Sequence, residues 1–324
     1  MSISAISYNI LSSEFSYKGY HYKCAPKNLD SLNRIAKIKE ILSAEIERRS
    51  IICLQEVSIF FAEHLHVLFQ NSNYHVIYDP YGKDYSGYMG CMLAFPNDQF
   101  ELKEAKIVKV GDELKKVIKK RSVMSLPLIE RVLRYVFSDT WEKSYQRSNS
   151  FIVAKLLNKA HNKTFCIGTY HMPAEYELND MIMIHASYIV NKLAEFAGSS
   201  PYILMGDFNF TPKNMAYKMI TQGGNFSGFV GCSVYYDVKY TVQVNTPMKS
   251  VYFEKNGGEP QYTNHQHVRN QKEFCECIDY IYVSSGWQID SIMPAPPISA
   301  HDDILPSSPQ PSDHVMIGAI LRQA

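Results

Sequence analysis

Short apolar runs of strand length, each closing on an acid, an amide or an imidazole, constrain this chain more than any other feature. Ile51-Ile52-Cys53-Leu54 runs into Gln55-Glu56. Phe165-Cys166-Ile167 leads to Tyr170-His171, and Tyr202 to Met205 leads to Gly206-Asp207-Phe208-Asn209. A continuous apolar run is what a strand buried on both faces requires. Helical patterns lie between the runs. Leu32, Ile35, Ile38, Leu42 and Ile46 recur at helical spacing behind Asp30 or Ser31 as N-cap, and Met181 to Phe196 reads as a second helix. Ile3 to Leu11 opens as a strand, Cys91 to Phe95 is strand-like, and Ile278 to Val283 and Val315 to Leu321 close the chain across the Pro-rich stretch 294 to 311. Strands alternating with helices imply a layered α/β fold.

Net charge and cysteine usage narrow the class. A formal charge of +1 over 324 residues argues against a protein that coats nucleic acid through bulk positive charge. It leaves room for an enzyme that handles a few phosphates in one pocket. The seven cysteines, at 24, 53, 91, 166, 232, 275 and 277, are odd in number and several sit in apolar runs, as reduced core thiols do. Cys275-x-Cys277 is too tight a spacing for zinc, and no second pair completes a tetrahedral set. The chain begins without a basic or long apolar leader and holds no apolar run near the ~20 residues that cross a bilayer. A cytoplasmic monomer is the expectation.

One stretch departs from the even charge. From Lys103 to Arg147 twelve Lys/Arg stand against six Asp/Glu. Leu114, Val117 and Ile118, then Leu128, Val132, Leu133 and Val136, give it a helical pattern. It reads as a basic helical insertion at about 101 to 147. Such a segment either touches an anionic surface, membrane or nucleic acid, or is simply solvated.

The polar strand ends carry the chemistry. Burying an isolated carboxylate costs several kcal/mol unless it is paired or metal-bound. A lone Asp closing a strand is usually a turn former or a cap. Here Glu56, Asp207, Asn209 and Asp313 offer oxygen donors, with His171 and His314 beside them and Asp279 starting a strand. Hard oxygen donors in number select Mg²⁺, with Mn²⁺ as a substitute, over zinc.

In order along the chain stand Ser7-Tyr8-Asn9-Ile10-Leu11, Ile52-Cys53-Leu54-Gln55-Glu56-Val57, Gly206-Asp207-Phe208-Asn209, Ile278-Asp279-Tyr280-Ile281 and Pro311-Ser312-Asp313-His314. Each is weak alone. Five in this order resemble the endonuclease/exonuclease/phosphatase superfamily, across the whole chain except 97 to 147. Tyr8-Asn9-Ile10-Leu11, Gly90-Cys91-Met92-Leu93-Ala94-Phe95 and Tyr262-Thr263-Asn264 are most similar to its deadenylase, nocturnin and 2′-phosphodiesterase branch. Met89 replaces the branch's Asp before Gly90. His265, Gln266 and His267 stand where the branch places a base-stacking aromatic.

The resemblance implies one catalytic domain over 1 to 324, an α/β four-layer sandwich of two packed mixed β-sheets flanked by helices. It implies Glu56 as principal Mg²⁺ ligand with Asn9 beside it and Asp313 completing the shell. Asp207 activates the attacking water or holds a second ion, and Asn209 steadies the phosphorane. His171 and His314 contact the phosphate, with Asp279 fixing the His314 tautomer. Tyr262, Asn264, His265 and His267 line the substrate groove or are surface loop residues. The expected function is a Mg²⁺-dependent phosphodiesterase, a 3′-exoribonuclease on RNA or short oligonucleotides. A phosphatase on a small phosphorylated metabolite, nucleotide or lipid headgroup is the second reading. A catalytically inactive binding module is a third, opposed by the retained acids and histidines.

Overall fold

Alternation hidden inside the apolar runs decides the layering. In the computed structural model, which describes residues 2–120, 139–175, 178–231, 233, 235–296 and 304–324, each run is a strand with both faces covered. Ile52 and Leu54 of β2 (Ile51–Val57) point to α1 (Ser31–Glu47) and α2 (Ile59–Asn71). Ile51 and Cys53 point the other way, into the space between two sheets, where they meet Ile167, Ile203, Met205 and Ile281.

The first sheet holds β1 (Ser2–Asn9), β2, β3 (Tyr74–Pro80) and β4 (Gly90–Pro96), with β12 (Trp287–Ile292) and β13 (Ile317–Gln323), in the order β12-β13-β1-β2-β4-β3. The second holds β5 (Phe100–Lys109), β6 (Ser150–Asn158), β7 (Lys163–His171), β8 (Tyr202–Asp207) and β11 (Asp279–Val283). Its order is Lys249–Ser250, β11, β8, β7, β6, β5. A short hairpin, β9 (Asn264–Gln266) with β10 (Phe274–Glu276), stands apart. Helix α3 (Asn179–Ala197) and α4 (Met215–Gln222) cover the second sheet through Ile182, Ile189, Leu193 and Met219. Both sheets are mixed. The β1–β2 and β7–β8 pairs are parallel and the others antiparallel. The expected four layers are present.

The helices end where local chemistry stops them. Asp30 accepts from the Asn33 N–H at 2.9 Å and caps α1, whose Ile35, Ile38, Leu42 and Ile46 are buried. Leu32, assigned to the same face by its spacing, lies in the first turn and is 63% exposed. Helix α2 was not among the sequence expectations. Ser58 caps it, and Phe61, Ala62, Leu65 and Phe69 are buried.

The expected basic helical insertion is corrected. Residues 100 to 109 are an edge strand that pairs with β6 from Phe100↔Asn158 to Lys109↔Ser150. Only Val110–Lys116 and Thr140–Tyr145 are helical among the described residues of that stretch, and Val110, Leu114 and Trp141 are in the core. Lys103, Lys106 and Lys109 belong to this edge strand, where charged side chains are common. Leu128, Val132, Leu133 and Val136 lie outside the described residues. Replacing 103–147 with a Gly/Ser linker is therefore expected to abolish the cooperative thermal transition, followed by circular dichroism. A sharp transition retained near the wild-type temperature would return this stretch to the surface.

Among the described residues, Cys24, Cys53, Cys91, Cys166 and Cys277 are buried, and the Cys24 thiol donates to the Ile304 carbonyl at 3.7 Å. No helix among them is long and apolar enough to cross a membrane.

Candidate active site

The strand faces that line the inter-sheet space are apolar until their last residues. On β1 the inward positions read Ile3, Ala5, Ser7, Asn9, on β2 Ile51, Cys53, Gln55, and on β7 Phe165, Ile167, Thr169, His171. On β8 they end at Asp207, and β11 starts at Asp279. Register then aligns them. His171 pairs with Asp207 across β7–β8, Asp207 with Asp279 across β8–β11, and Asn9 with Gln55 across β1–β2. A buried hydrogen-bonded layer separates this polar row from the apolar interior. Ser7 donates to Gln55 at 3.3 Å, and Gln55 donates to Thr169 at 3.1 Å.

Three backbone features turn side chains into the row. Glu56 sits at φ 55°, where the β2–β4 register slips between Leu54 and Val57, so its carboxylate leaves the strand's alternation. Leu11 and Asn209 also have positive φ, at 52° and 50°. Non-glycine residues held there cost of order 1–3 kcal/mol each and cluster at functional sites. Gly206 is required by proximity, since a Cβ there would lie 1.9 Å from the Tyr170 carbonyl oxygen.

Asn9 joins the two central acids. Its Nδ2 donates to Glu56 Oε1 at 3.0 Å and to Asp207 Oδ2 at 2.9 Å, while its Oδ1 accepts from Leu11 N–H at 3.0 Å. Here a donor nitrogen of Asn9 faces the acids and its oxygen is turned to the backbone, so Asn9 positions the two carboxylates. Asp207 Oδ2 also lies 3.5 Å from His171 Nε2 and 3.6 Å from His314 Nε2. His314 Nδ1 meets Asp279 Oδ2 at 2.8 Å, which leaves Nε2 facing the cleft. Thr263 Oγ1 donates to that same Asp279 oxygen at 2.6 Å and accepts from the N–H groups of Ile278 and Asp279. Tyr81 OH meets His171 Nδ1 at 2.7 Å. Burial holds the Tyr81 phenol well above its usual range, so it stays protonated, and its contact with Nδ1 orients the ring with Nε2 toward Asp207.

Ser312 Oγ donates to the Asn9 carbonyl at 2.7 Å and accepts from His314 N–H, tying the last motif to the first strand. From behind, the buried Arg34 donates to the carbonyls of Ile10, Leu11 and Pro311 at 2.5 to 2.6 Å. Asn209 donates to the Met172 carbonyl at 2.8 Å and its N–H caps Asp207 Oδ1.

The electrostatics follow from burial. Desolvation, then Asp279, push the Asp207 carboxyl up to about 6, against His314, His171 and Asn9. Burial pushes the His314 ring down, but Asp279 and Asp207 together overcome it and hold it well above its usual 6.5.

A cleft of about 400 Å³ opens over the row, lined by Glu56, His171, Asp207, Asn209, Asp313 and His314. The expected substrate residues are corrected. Tyr262 and Asn264 are fully buried, and His265 is engaged by Glu273 at 2.8 Å. His267 meets Tyr22 at 2.9 Å, and none of the four lines the cleft, whereas Gln266 does. Alternation separates Gln266 from His265 and His267, which share the opposite face, while Tyr262 and Asn264 are enclosed by packing. Tyr81 and Thr263 went unrecognised in the sequence. Tyr81 is one of several loop tyrosines, and Thr263 is told from its neighbours only by where Asp279 lies. His185, unassigned to the site, is a buried link between Tyr170 OH and the Ser144 carbonyl.

Two six-stranded sheets carry this acid–imidazole row between their ends. The chain belongs to the Endonuclease/Exonuclease/phosphatase family, whose model matches residues 6–314. It is similar to nocturnin of Drosophila melanogaster, 25% identical over 303 residues that cover 86% of this chain and 39% of that one. To 2′,5′-phosphodiesterase 12 of Homo sapiens it is 23% identical over 333 residues, covering 97% of this chain and 51% of that one. The chain thus spans about half the length of these relatives, or less. Among solved structures, ANGEL2, a 2′,3′-cyclic phosphatase in complex with adenosine-2′,3′-vanadate, shares the fold with a TM-score of 0.76. It is 18% identical, and the match covers 100% of this chain and 96% of that one.

Proposed function

We propose that the chain is a Mg²⁺-dependent phosphodiesterase, a 3′-exoribonuclease on RNA or short oligonucleotides. The observation that carries this reading is one carboxylate oxygen, Asp207 Oδ2, with two imidazole Nε2 atoms 3.5 and 3.6 Å away. That is a base flanked by two donors, as water attack on phosphorus needs. Relatives named for phosphodiesterase and cyclic-phosphatase activities support a phosphodiester substrate.

The donor set fits a hard divalent cation. Ligand atoms of Glu56, His171 and Asp207 lie within 4.8 Å of one another, and Asn209 and Asp313 share the cleft. Glu56, Asp207 and Asp313 are the residues that would hold Mg²⁺, and a cation beside Asp207 would favour its ionised form. When bound, Mg²⁺ supplies positive charge to a phosphoryl oxygen and to the developing negative charge. Asp207 takes the proton of the attacking water. His314 donates to a phosphate oxygen from Nε2, with Asp279 holding its ring. His171 donates from Nε2 on the opposite side, with Tyr81 orienting its ring, and Asn209 and its neighbours keep the Asp207 loop in place.

A phosphatase acting on a small phosphorylated metabolite is the second reading, favoured by the modest cleft volume of about 400 Å³. Side-by-side hydrolysis of oligo(A), other RNA homopolymers, 2′-5′-linked oligo(A), NADP and inositol phosphates separates the two. Turnover of inositol phosphates with RNA left intact would replace the first reading by the second. EDTA is expected to abolish activity and Mg²⁺ or Mn²⁺ to restore it. Glu56→Gln is expected to weaken Mg²⁺ affinity about 10-fold or more, read by calorimetry, as removal of a charged ligand does. Full activity in chelator would remove the metal from the mechanism.

A further inference from the structure

Two loops that border the cleft share an unusual sequence pattern. Tyr17-Lys18-Gly19-Tyr20-His21-Tyr22-Lys23 and Tyr81-Gly82-Lys83-Asp84-Tyr85-Ser86-Gly87-Tyr88 both interleave tyrosine with lysine. Tyr17, Tyr22, Tyr85 and Tyr88 are the tyrosines most open to solvent among the described residues, and all four belong to these loops. Water-facing aromatic rings gain nothing by burial, so their concentration beside one cleft calls for a ligand with flat faces.

The geometry is continuous with the reacting centre. Ser12 Oγ donates to the Ser86 carbonyl at 2.9 Å, which ties the segment just before the first loop to the second loop. Tyr81, hydrogen-bonded to His171, forms the inner wall, and Tyr85, 71% exposed, stands on the rim of the same cleft. On the other loop Tyr20 lines the cleft, and the Tyr17 ring lies outward of it, 6.0 Å from centroid to centroid. Lys83 also lines the cleft and makes no ion pair among the described residues. Lys18 is occupied by the carbonyls of Tyr22 and Cys24. Asp84 and Glu14 offset the remaining charge.

We propose that these loops form a binding track for single-stranded oligonucleotide, with Tyr85 and Tyr17 stacking on bases beyond the scissile phosphate and Lys83 meeting one backbone phosphate. Bases of a duplex are stacked on each other and present no free face, so the track selects unpaired strands. Stacking on tyrosine is tolerant of base identity, and with Lys83 the unpaired lysine that lines the cleft among the described residues the binding depends only weakly on salt. This deepens the nuclease reading and rests on it only for the direction in which the strand enters.

The test measures binding of a fluorescein-labelled single-stranded RNA decamer to the Asp207→Asn protein by anisotropy. A second decamer keeps every phosphate but carries abasic residues. Adding Tyr85→Ala is expected to raise Kd for the normal decamer by roughly 5- to 150-fold, the range of one base–aromatic stack. For the abasic decamer the change is expected to stay within about twofold, and Tyr85→Phe to restore binding of the normal one, as loss of stacking alone requires. Lys83→Gln is expected to lower the slope of log K against log salt by about 0.7, the share of one phosphate on a single strand. Phe253→Ala, at an exposed aromatic outside the cleft, is the control. Equal losses on both decamers, or none, would overturn the track. Wild-type protein that cleaves no oligonucleotide while the Tyr85 differential persists would retire the nuclease reading and leave the track standing. Cleavage without the differential would do the reverse.

Discussion

Asp207→Asn is expected to lower kcat by ~10²–10⁴-fold, the usual worth of a positioned proton acceptor, while Mg²⁺ binding is largely kept through Glu56. The amide fills the same space but can accept from only one of Asn9 Nδ2 and the Asn209 N–H, so Mg²⁺ affinity and melting temperature are measured beside kcat to separate proton transfer from positioning. A variant that keeps more than about a tenth of wild-type kcat would remove Asp207 from the role of base, since that lies far above the range for this kind of catalysis. The same substitution has a second signature in metal-free protein. Folded, Asp207 holds its proton up to about pH 6, whereas its ordinary value is 3.8. Between those values the folded state binds the extra proton, so Asp207 stabilises the fold at low pH and that contribution is lost as pH rises through 6. Asn has no proton to lose. In EDTA, the melting temperature of wild type minus that of Asp207→Asn is therefore expected to fall between pH 4 and pH 6. Parallel melting curves across that window would mean the carboxyl is not shifted.

The pair His314 and Asp279 carries the other large effect. With Asp279 Oδ2 on Nδ1 and Asp207 near Nε2, the ring is charged in metal-free protein well past its usual pH. His314→Ala is expected to lower kcat by about 10²-fold or more with little change in KM, as loss of a transition-state donor does. Asp279→Asn is expected to cost a similar factor, because an amide can hold the imidazole in the wrong tautomer. The double variant should lose little more than either single one, since the two act as one unit. Losses that multiply would separate them. The charged ring also stabilises the fold. Its pKa is raised, so the contribution is complete below pH 6.5 and fades as pH climbs through the folded value.

Much of this was legible because burial and chemistry conflict openly in one dimension. Ile51 to Leu54 and Tyr202 to Met205 are too apolar to be anything but buried strands, and an acid at their ends needs a partner. Glu56, His171, Asp207, Asn209, Asp279, Asp313 and His314 could therefore be named from the sequence, and the fold places all seven around one cleft. The layered α/β class was also written in the chain, whereas the two-sheet sandwich was expected from the family resemblance, because both faces of each buried run are apolar.

Other features depend on who the neighbour is, and a local pattern does not carry that. Lys103, Lys106 and Lys109 look like a solvated helix until β6 pairs with them and turns the stretch into an edge strand. Tyr262 and Asn264 look like groove residues until the hairpin buries them and offers Gln266 instead. The contacts of Asn9 are set in the same way, the Leu11 N–H taking its oxygen and leaving its nitrogen to join Glu56 to Asp207. Composition and periodicity along the chain determined which residues are buried and which carry charge into the interior. Only the tertiary structure decided which of them touch, because hydrogen-bond direction and cross-strand register are set by residues far apart in sequence.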